Sequence, residues 1–334
     1  MKKTYYLFNP GRLQRKDNTL KFTPYDEEGN EQPSRYLPVE NVGDLYCFGS
    51  LDANSALYNF LGQQQIPVHF FDYYENYTGS FMPRESLISG KMLISQVKIQ
   101  QNKQSRMVLA QRIVEGAGYN MLKNLGYYNN RGKDLTLIIT SIEELIPKIA
   151  STTLIEELMG IEGNIRKNYY DAFELIINDF SMDGRSYRPP RNEVNALVSF
   201  GNMMCYSQCL KAIHQTQLHP AISFLHEPGE RRFSLCLDIA EIFKPILVDR
   251  VIFKVLNKRM IQENHFETKL NRIILKDTGR KIFVQAFEDR LNETIKHRML
   301  SRSVSYKHLI KLECYKLQKH LLGMEEYMPF KMWW

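Results

Sequence analysis

The spacing of apolar residues changes once along this chain, around residues 79–83, and that change limits what the chain can fold into. Before it, short β-rich runs at residues 4–9, 19–23, 35–40, 45–48 and 67–73 alternate with turn signals such as Asn9-Pro10-Gly11 and Glu28-Gly29-Asn30. One helix interrupts them at residues 54–62, with Asn54 as its N-cap, Leu57, Phe60 and Leu61 on one face and Gly62 as its stop. From residue 84 onward apolar residues recur at helical spacing, and residues 153–180, 193–213, 233–262 and 304–322 read as helices. Ser141-x-x-Glu144 has the form of a capping box, and Pro147 and Pro245 predict a kink or restart inside two helical patterns. Ile273-Ile274-Leu275 followed by Asp277-Thr278-Gly279 predicts a short strand and turn. The fold class expected is α+β: a small N-terminal β-rich domain over residues 1–83, then a larger, mainly α-helical domain over residues 84–334.

With 334 residues, 43% of them hydrophobic, the chain can bury a substantial core. Its net charge of +7 is unevenly placed: from Glu241 onward 19 Lys and Arg stand against 11 Asp and Glu. A basic partner-binding surface is therefore expected mainly in the C-terminal part, where it suits a polyanion or serves only as a solvated face. No apolar stretch approaches the roughly 18 to 20 residues needed to span a bilayer, and Tyr5-Tyr6-Leu7-Phe8 is too short for a signal peptide, so a cytoplasmic protein with no membrane partner is expected. The five cysteines form no CxxC pair and read as reduced thiols; Cys205 and Cys209, four residues apart on one helix, read as buried packing with no further ligands for zinc.

Three segments of the second domain place acid and imidazole groups beside glycines and cations. Gly160-Ile161-Glu162-Gly163 sets a glutamate between two glycines in a region that favours helix, which suggests close approach of another backbone or of a ligand. The plainer alternative is an i, i+4 pair of Glu162 with Arg166 on a solvated face. Residues 219–232 form a Pro/Gly-containing connection that presents His226, suited to metal ligation or proton transfer, and carries Arg231. In residues 235–245, Asp238 and Glu241 share one face of an otherwise apolar helix and need a compensating cation. Mg²⁺ or Mn²⁺ would supply it, and so would Lys244 or Arg231. Glu162, His226, Asp238 and Glu241 together offer hard oxygen ligands and one imidazole, a set matched to Mg²⁺ or Mn²⁺ and, beside basic residues, to phosphodiester chemistry.

At these residues the chain resembles the CRISPR-associated spacer integrase family. The resemblance rests on Gly160-x-Glu162-Gly163-x-x-Arg166-x-x-Tyr169, on Arg188-Pro189-Pro190-x-Asn192-x-x-Asn195-Ala196-Leu197-x-Ser199-Phe200-Gly201, on Phe224-Leu225-His226, and on Ser234-Leu235-x-Leu237-Asp238-Ile239-x-Glu241-x-Phe243-Lys244-Pro245. The opening residues 5–20 look like members from a type I-B branch. The resemblance implies a metal-dependent DNA endonuclease and integrase, with Glu162, His226 and Asp238 as metal ligands, Glu241 as a nearby second acid and Lys244 as a phosphate contact. It further implies a homodimer that assembles with a small second CRISPR-associated protein. The complex would join the DNA 3′-hydroxyls of short spacer fragments to a CRISPR repeat by transesterification, without ATP. Asn192 and Lys244 depart from the family's commoner Asp and Arg. Two other readings compete: a non-catalytic DNA-binding scaffold, and a general nuclease acting on branched DNA in repair. Phe330 and Trp333-Trp334 are expected to pack or dock a partner in preference to stacking on bases.

Overall fold

A computed structural model describes residues 2–72, 74, 76–83, 87, 89–186, 189–229, 233–269, 272–298 and 300–333. Tyr73, Arg188, Arg231 and Trp334, which the sequence reading uses, lie outside the described residues. The chain divides into two compact units, residues 1–86 and 87–334.

The first unit contains β1 (Lys3–Leu7), β2 (Gly11–Lys16), β3 (Thr19–Pro24), β4 (Arg35–Pro38), β5 (Val42–Cys47), β6 (Leu51–Asp52), α1 (Ser55–Gln63), β7 (Val68–Phe71) and β8 (Tyr77–Phe81). They form two four-stranded sheets, ordered β1-β5-β7-β8 and β4-β3-β2-β6. Alternation brings Leu20 and Phe22 of β3 inward, while β5 is buried nearly throughout; Leu13, Leu20, Phe22, Val42, Leu45 and Val68 are buried with Leu57, Phe60 and Leu61 of α1. As the sequence predicts, Asn54 caps α1, its side chain accepting from the Leu57 amide at 3.0 Å. β2, β6 and β8 are absent from the sequence reading. In β2 only Gly11 and Leu13 are buried while Gln14, Arg15 and Lys16 are exposed, so the strand carries too little apolar signal to be read alone. Gly11 is required there, since a Cβ would lie 2.5 Å from the Thr23 carbonyl oxygen.

The second unit is mainly helical: α2 (Gly90–Gln101), α3 (Lys103–Asn129), α4 (Thr136–Leu145), α5 (Ile155–Asp171), α6 (Phe173–Ile176), α7 (Glu193–His214), α8 (Ser234–Lys244) and α9 (Arg250–Asn257) come first. The strand pair β9 (Phe266–Lys269) and β10 (Arg272–Leu275), α10 (Asp277–Asn292), the pair β11 (Thr294–Lys296) and β12 (Ser303–Ser305), and α11 (Tyr306–Leu321) complete it. The α+β class expected from the spacing pattern is the one observed. α8 packs between α3 and α7 and is buried on every face except at Leu237, and α5 packs on α3 and α4. Asp238, Glu241 and Lys244 are thus drawn inside the helical unit by the apolar residues around them.

Pro147 falls in a 3₁₀ stretch, Ile146–Ser151, and Pro245 opens a π-helical turn, Pro245–Asp249, after which α9 restarts the helix. Two expectations are corrected. Ser141 caps nothing: it sits within α4 and its hydroxyl donates back to the Leu137 carbonyl. Asp277-Thr278-Gly279 is the first turn of α10, while the strand before it pairs antiparallel with β9 as expected of a strand. The five cysteines are free and buried. Among the described residues no helix is long and apolar enough to cross a membrane.

Candidate active site

Glu162 and Arg166 stand one turn apart on α5, and the i, i+4 pair anticipated as the plainer alternative is present, Arg166 Nε donating to Glu162 Oε1 at 2.7 Å. The pair is not a solvated surface feature. Arg166 Nη2 also donates to Glu241 Oε2 from α8, and Lys244 Nζ donates to Glu241 Oε1 at 2.6 Å. Four alternating charges, Glu162, Arg166, Glu241 and Lys244, therefore run in line between the two helices, with the Lys244 ammonium 4.9 Å from the Tyr206 ring centre. Among the described residues Gly160 and Gly163 meet no neighbouring segment, for a Cβ on either would find nothing within 4 Å. They leave bare helix beside Glu162, and of the two close approaches expected of these glycines, that of another backbone is not made by any described residue.

Electrostatics follow from burial. Desolvation alone would raise the Glu241 carboxyl, but Arg166, Lys244 and His226 outweigh it and hold it down at about 2. Burial opposes the charge on Lys244 and Arg166, yet Glu241 raises the first, and Glu241 with Glu162 raises the second. Glu241, whose side chain is only 6% exposed, is thus a fixed anion between two fixed cations.

Asp238 occupies a different place. Its Oδ2 accepts from the Phe224 and Leu225 amides at 2.7 and 3.1 Å, and its Oδ1 from the His226 amide and ring Nδ1 at 3.0 and 2.9 Å. The carboxylate is fully buried and engaged by four donors, so it braces the loop that presents His226 and orients the ring. Of the four groups singled out in the sequence, Asp238 and His226 meet each other, and Glu241, the nearby second acid, is the one joined to Glu162 through Arg166. With Nδ1 held, His226 has Nε2 left for a proton or a ligand.

Several contributors have no local signature in the sequence. Gln96 of α2 donates to the His219 and Ile222 carbonyls and accepts from the His219 amide, and Arg106 of α3 donates to the Phe224 carbonyl and to Glu227. Asn120 and Asn124 of α3 donate to the Ile242 and Pro245 carbonyls at the end of α8, and Asn124 also to the Tyr169 hydroxyl. Asp249 lies beneath this cluster, hydrogen-bonded to Tyr169, where burial pushes its carboxyl up to about 7 against the opposing pull of Arg166. Only Tyr169 of these stood in a motif; Asp249 follows α8 directly, and Gln96, Arg106, Asn120 and Asn124 join the site from across the chain.

The family model of CRISPR associated protein Cas1 matches residues 5–289, from β1 to within α10. The chain belongs to the Cas1 family. A CRISPR-associated endonuclease Cas1 from Fusobacterium nucleatum is 47% identical over 335 residues, spanning 100% of this chain and 98% of that protein. The solved structure of a Cas1 protein from Thermotoga maritima superposes with a TM-score of 0.85 at 40% identity, over 97% of this chain and 98% of the other. A casposase bound to its integration product shares the fold, with a TM-score of 0.89 at 20% identity over 99% and 93% of the two chains. The Cas1 family match encloses all the site residues above and stops short of α11 and the C-terminal segment.

The divalent metal implied by membership of the Cas1 family can be tested against the donors. Among the described residues no three of His, Cys, Asp and Glu already surround one point. Yet two carboxylates from different helices, Glu162 and Glu241, converge on a single cation, Arg166, and Asp238, three residues before Glu241 on α8, holds the His226 ring. Hard oxygens that share one positive charge, beside one imidazole and bare glycine backbone, fit Mg²⁺ or Mn²⁺.

Proposed function

We propose that this member of the Cas1 family is a metal-dependent DNA endonuclease and integrase of CRISPR adaptation. Mg²⁺ or Mn²⁺ would be held by Glu162, Glu241 and His226, with Asp238 fixing the histidine and Lys244 facing phosphate. The observation that carries this reading is the convergence of Glu162 and Glu241 on Arg166 next to the braced His226 loop. When bound, a divalent ion there supplies Lewis acidity toward a phosphoryl oxygen. Arg166 and Lys244, both held cationic by their carboxylate partners, offset the charge of the phosphodiester and of its transition state. In strand joining, the 3′-oxygen of the fragment forms a bond to a repeat phosphorus as the bond to the departing 3′-oxygen breaks. The incoming hydroxyl loses a proton and the departing oxygen gains one, so the count of phosphodiesters is unchanged and no ATP is consumed. With Nδ1 held by Asp238, His226 would meet the metal through Nε2, so the protons of that exchange pass to and from solvent.

The family further supports a working form that is a homodimer, joined by a small second CRISPR-associated protein and acting on spacer fragments and CRISPR repeat DNA. The test is incubation of the purified protein, with and without that partner, with fragments bearing free 3′-hydroxyls and a repeat-containing plasmid. Metal would be varied between Mg²⁺, Mn²⁺ and chelator. Metal-dependent joining or cutting that disappears in Glu162→Gln is expected. DNA binding with neither reaction under any metal would favour the scaffold reading, and cutting of branched DNA with no preference for the repeat would favour a repair nuclease.

A further inference from the structure

We infer that the face where the C-terminal end of α3 meets the start of α9 is a second DNA-contacting surface, one that grips the phosphate backbone without reading sequence. This rests on the proposal that the protein acts on DNA, and it names a place for the strand apart from the Glu162 cluster. Tyr119, Lys123 and Tyr127 follow each other at spacings of four on α3, with Arg131 just beyond the helix end, so cation and ring alternate along one face. The Lys123 ammonium lies 5.6 Å from the Tyr119 ring centre and the Arg131 guanidinium 4.3 Å from that of Tyr127. Arg250, the first residue of α9, lies 4.0 Å from the same Tyr127 ring and is hydrogen-bonded to Tyr128. Lys254 and Lys258 continue from Arg250, again at spacings of four, so a second cationic row of about 12 Å leaves the same point along α9.

The charges on this face are uncompensated. The neighbouring Arg112 and Lys331 are each paired with Glu115, and Arg259 with Asp179. Among the described residues, none of Lys123, Arg131, Arg250, Lys254 and Lys258 has a carboxylate in ion-pair contact. Two guanidinium groups that share one tyrosine ring repel each other unless an anion offsets them. The ring holds the two cations in place, and with both already on it Tyr127 is not offered to a base; what the face presents is a bent row of fixed positive charge. That matches a phosphodiester backbone, whose condensed counterions are released on binding. The basic excess of the C-terminal part, evident from sequence, supplies Arg250, Lys254 and Lys258, and α3 brings Lys123 and Arg131 to them.

The experiment compares DNA affinity, by fluorescence anisotropy with chelator present, for three forms of the full chain across about 50 to 200 mM salt. These are the wild type, a variant combining Lys123→Gln, Arg131→Gln, Lys254→Gln and Lys258→Gln, and a control that removes the same charge at exposed positions elsewhere, Lys91→Gln, Lys103→Gln, Lys148→Gln and Lys281→Gln. The first variant is expected to bind a duplex of arbitrary sequence at least about tenfold more weakly, with a salt slope shallower by about 0.9 for each phosphate it no longer neutralises, while the control stays close to wild type. Arg131→Glu alone, checked for an unchanged melting curve, should weaken binding in the same direction. Equal affinity of the first variant and wild type, or an equal loss in variant and control, would overturn the inference. Wild-type protein assayed in Mn²⁺ separates the two ideas: absence of any reaction there speaks against the proposed catalysis, whereas the binding comparison alone decides this surface.

Discussion

Asp238→Asn is the substitution that best separates a metal ligand from a brace. Asparagine keeps the size of the side chain but replaces one oxygen by an NH₂ group, which donates and cannot accept. Each oxygen of Asp238 serves two donors: Oδ2 the Phe224 and Leu225 amides, Oδ1 the amide and ring nitrogen of His226. Turned toward Phe224 and Leu225, the new amide strips two buried amides of their acceptor; turned toward His226 it strips one part-buried amide, because the ring can present its other tautomer to the NH₂. At roughly 1 to 3 kcal/mol for each orphaned donor, the native state should lose about 1 to 6 kcal/mol. For a cooperative unit of this size that is a fall in Tm of about 3 to 20 °C, read by calorimetry in chelator so that metal plays no part. Isothermal titration with Mn²⁺ below the melting range completes the test, and affinity is expected to weaken through a disordered His226 while Glu162 and Glu241 still bind. The reasoning is refuted if the variant melts within about 2 °C of wild type yet loses Mn²⁺ affinity as completely as Glu162→Gln does. That outcome would make Asp238 a direct ligand.

Glu162→Gln should cost only about 1 kcal/mol of stability, since Arg166 keeps its bond to Glu241, but it should lower metal-dependent cleavage by more than about a hundredfold; single-turnover assays beside melting curves check both. Asp249, ordinarily near 3.8, is pushed up to about 7 by burial, so the folded state keeps its proton over a range where the unfolded chain releases it and stability falls as pH rises through that window. Asp249→Asn cannot ionise, and its Tm relative to wild type should rise between about pH 5 and pH 8; a difference that stays constant across that range would show that Asp249 does not titrate there. Phe330→Ala should cost about 3 to 5 kcal/mol, because the ring is buried and stacked 5.8 Å from Phe243 of α8, and chemical denaturation measures it.

Much of the molecule was legible in residue order. Period-two runs and turn residues marked the β-rich unit, helical spacing marked the rest, and Asn54 and Pro245 acted locally as their chemistry requires, because capping and ring closure involve only neighbouring backbone. Motif spacing singled out Glu162, His226, Asp238, Glu241 and Lys244, and of the two roles expected for Phe330, packing or docking a partner, the structure shows it packed. Strands with polar faces such as β2 and β8 were not legible, since their inward residues are few and their pairing is supplied by distant segments.

What residue order determined is which groups are present and which helix face each occupies: Asp238 and Glu241, three apart, must lie on neighbouring parts of one face. What each of them meets was decided only by tertiary structure. Packing of α5 against the same helical layer brings Arg166 to Glu241, and the loop before α8 folds back to place three amides and a ring on Asp238. The bracing residues Gln96 and Arg106 come from more than a hundred positions away. Hydrogen bonds and ion pairs of that kind depend on distances in space, which helical periodicity does not encode beyond a turn or two.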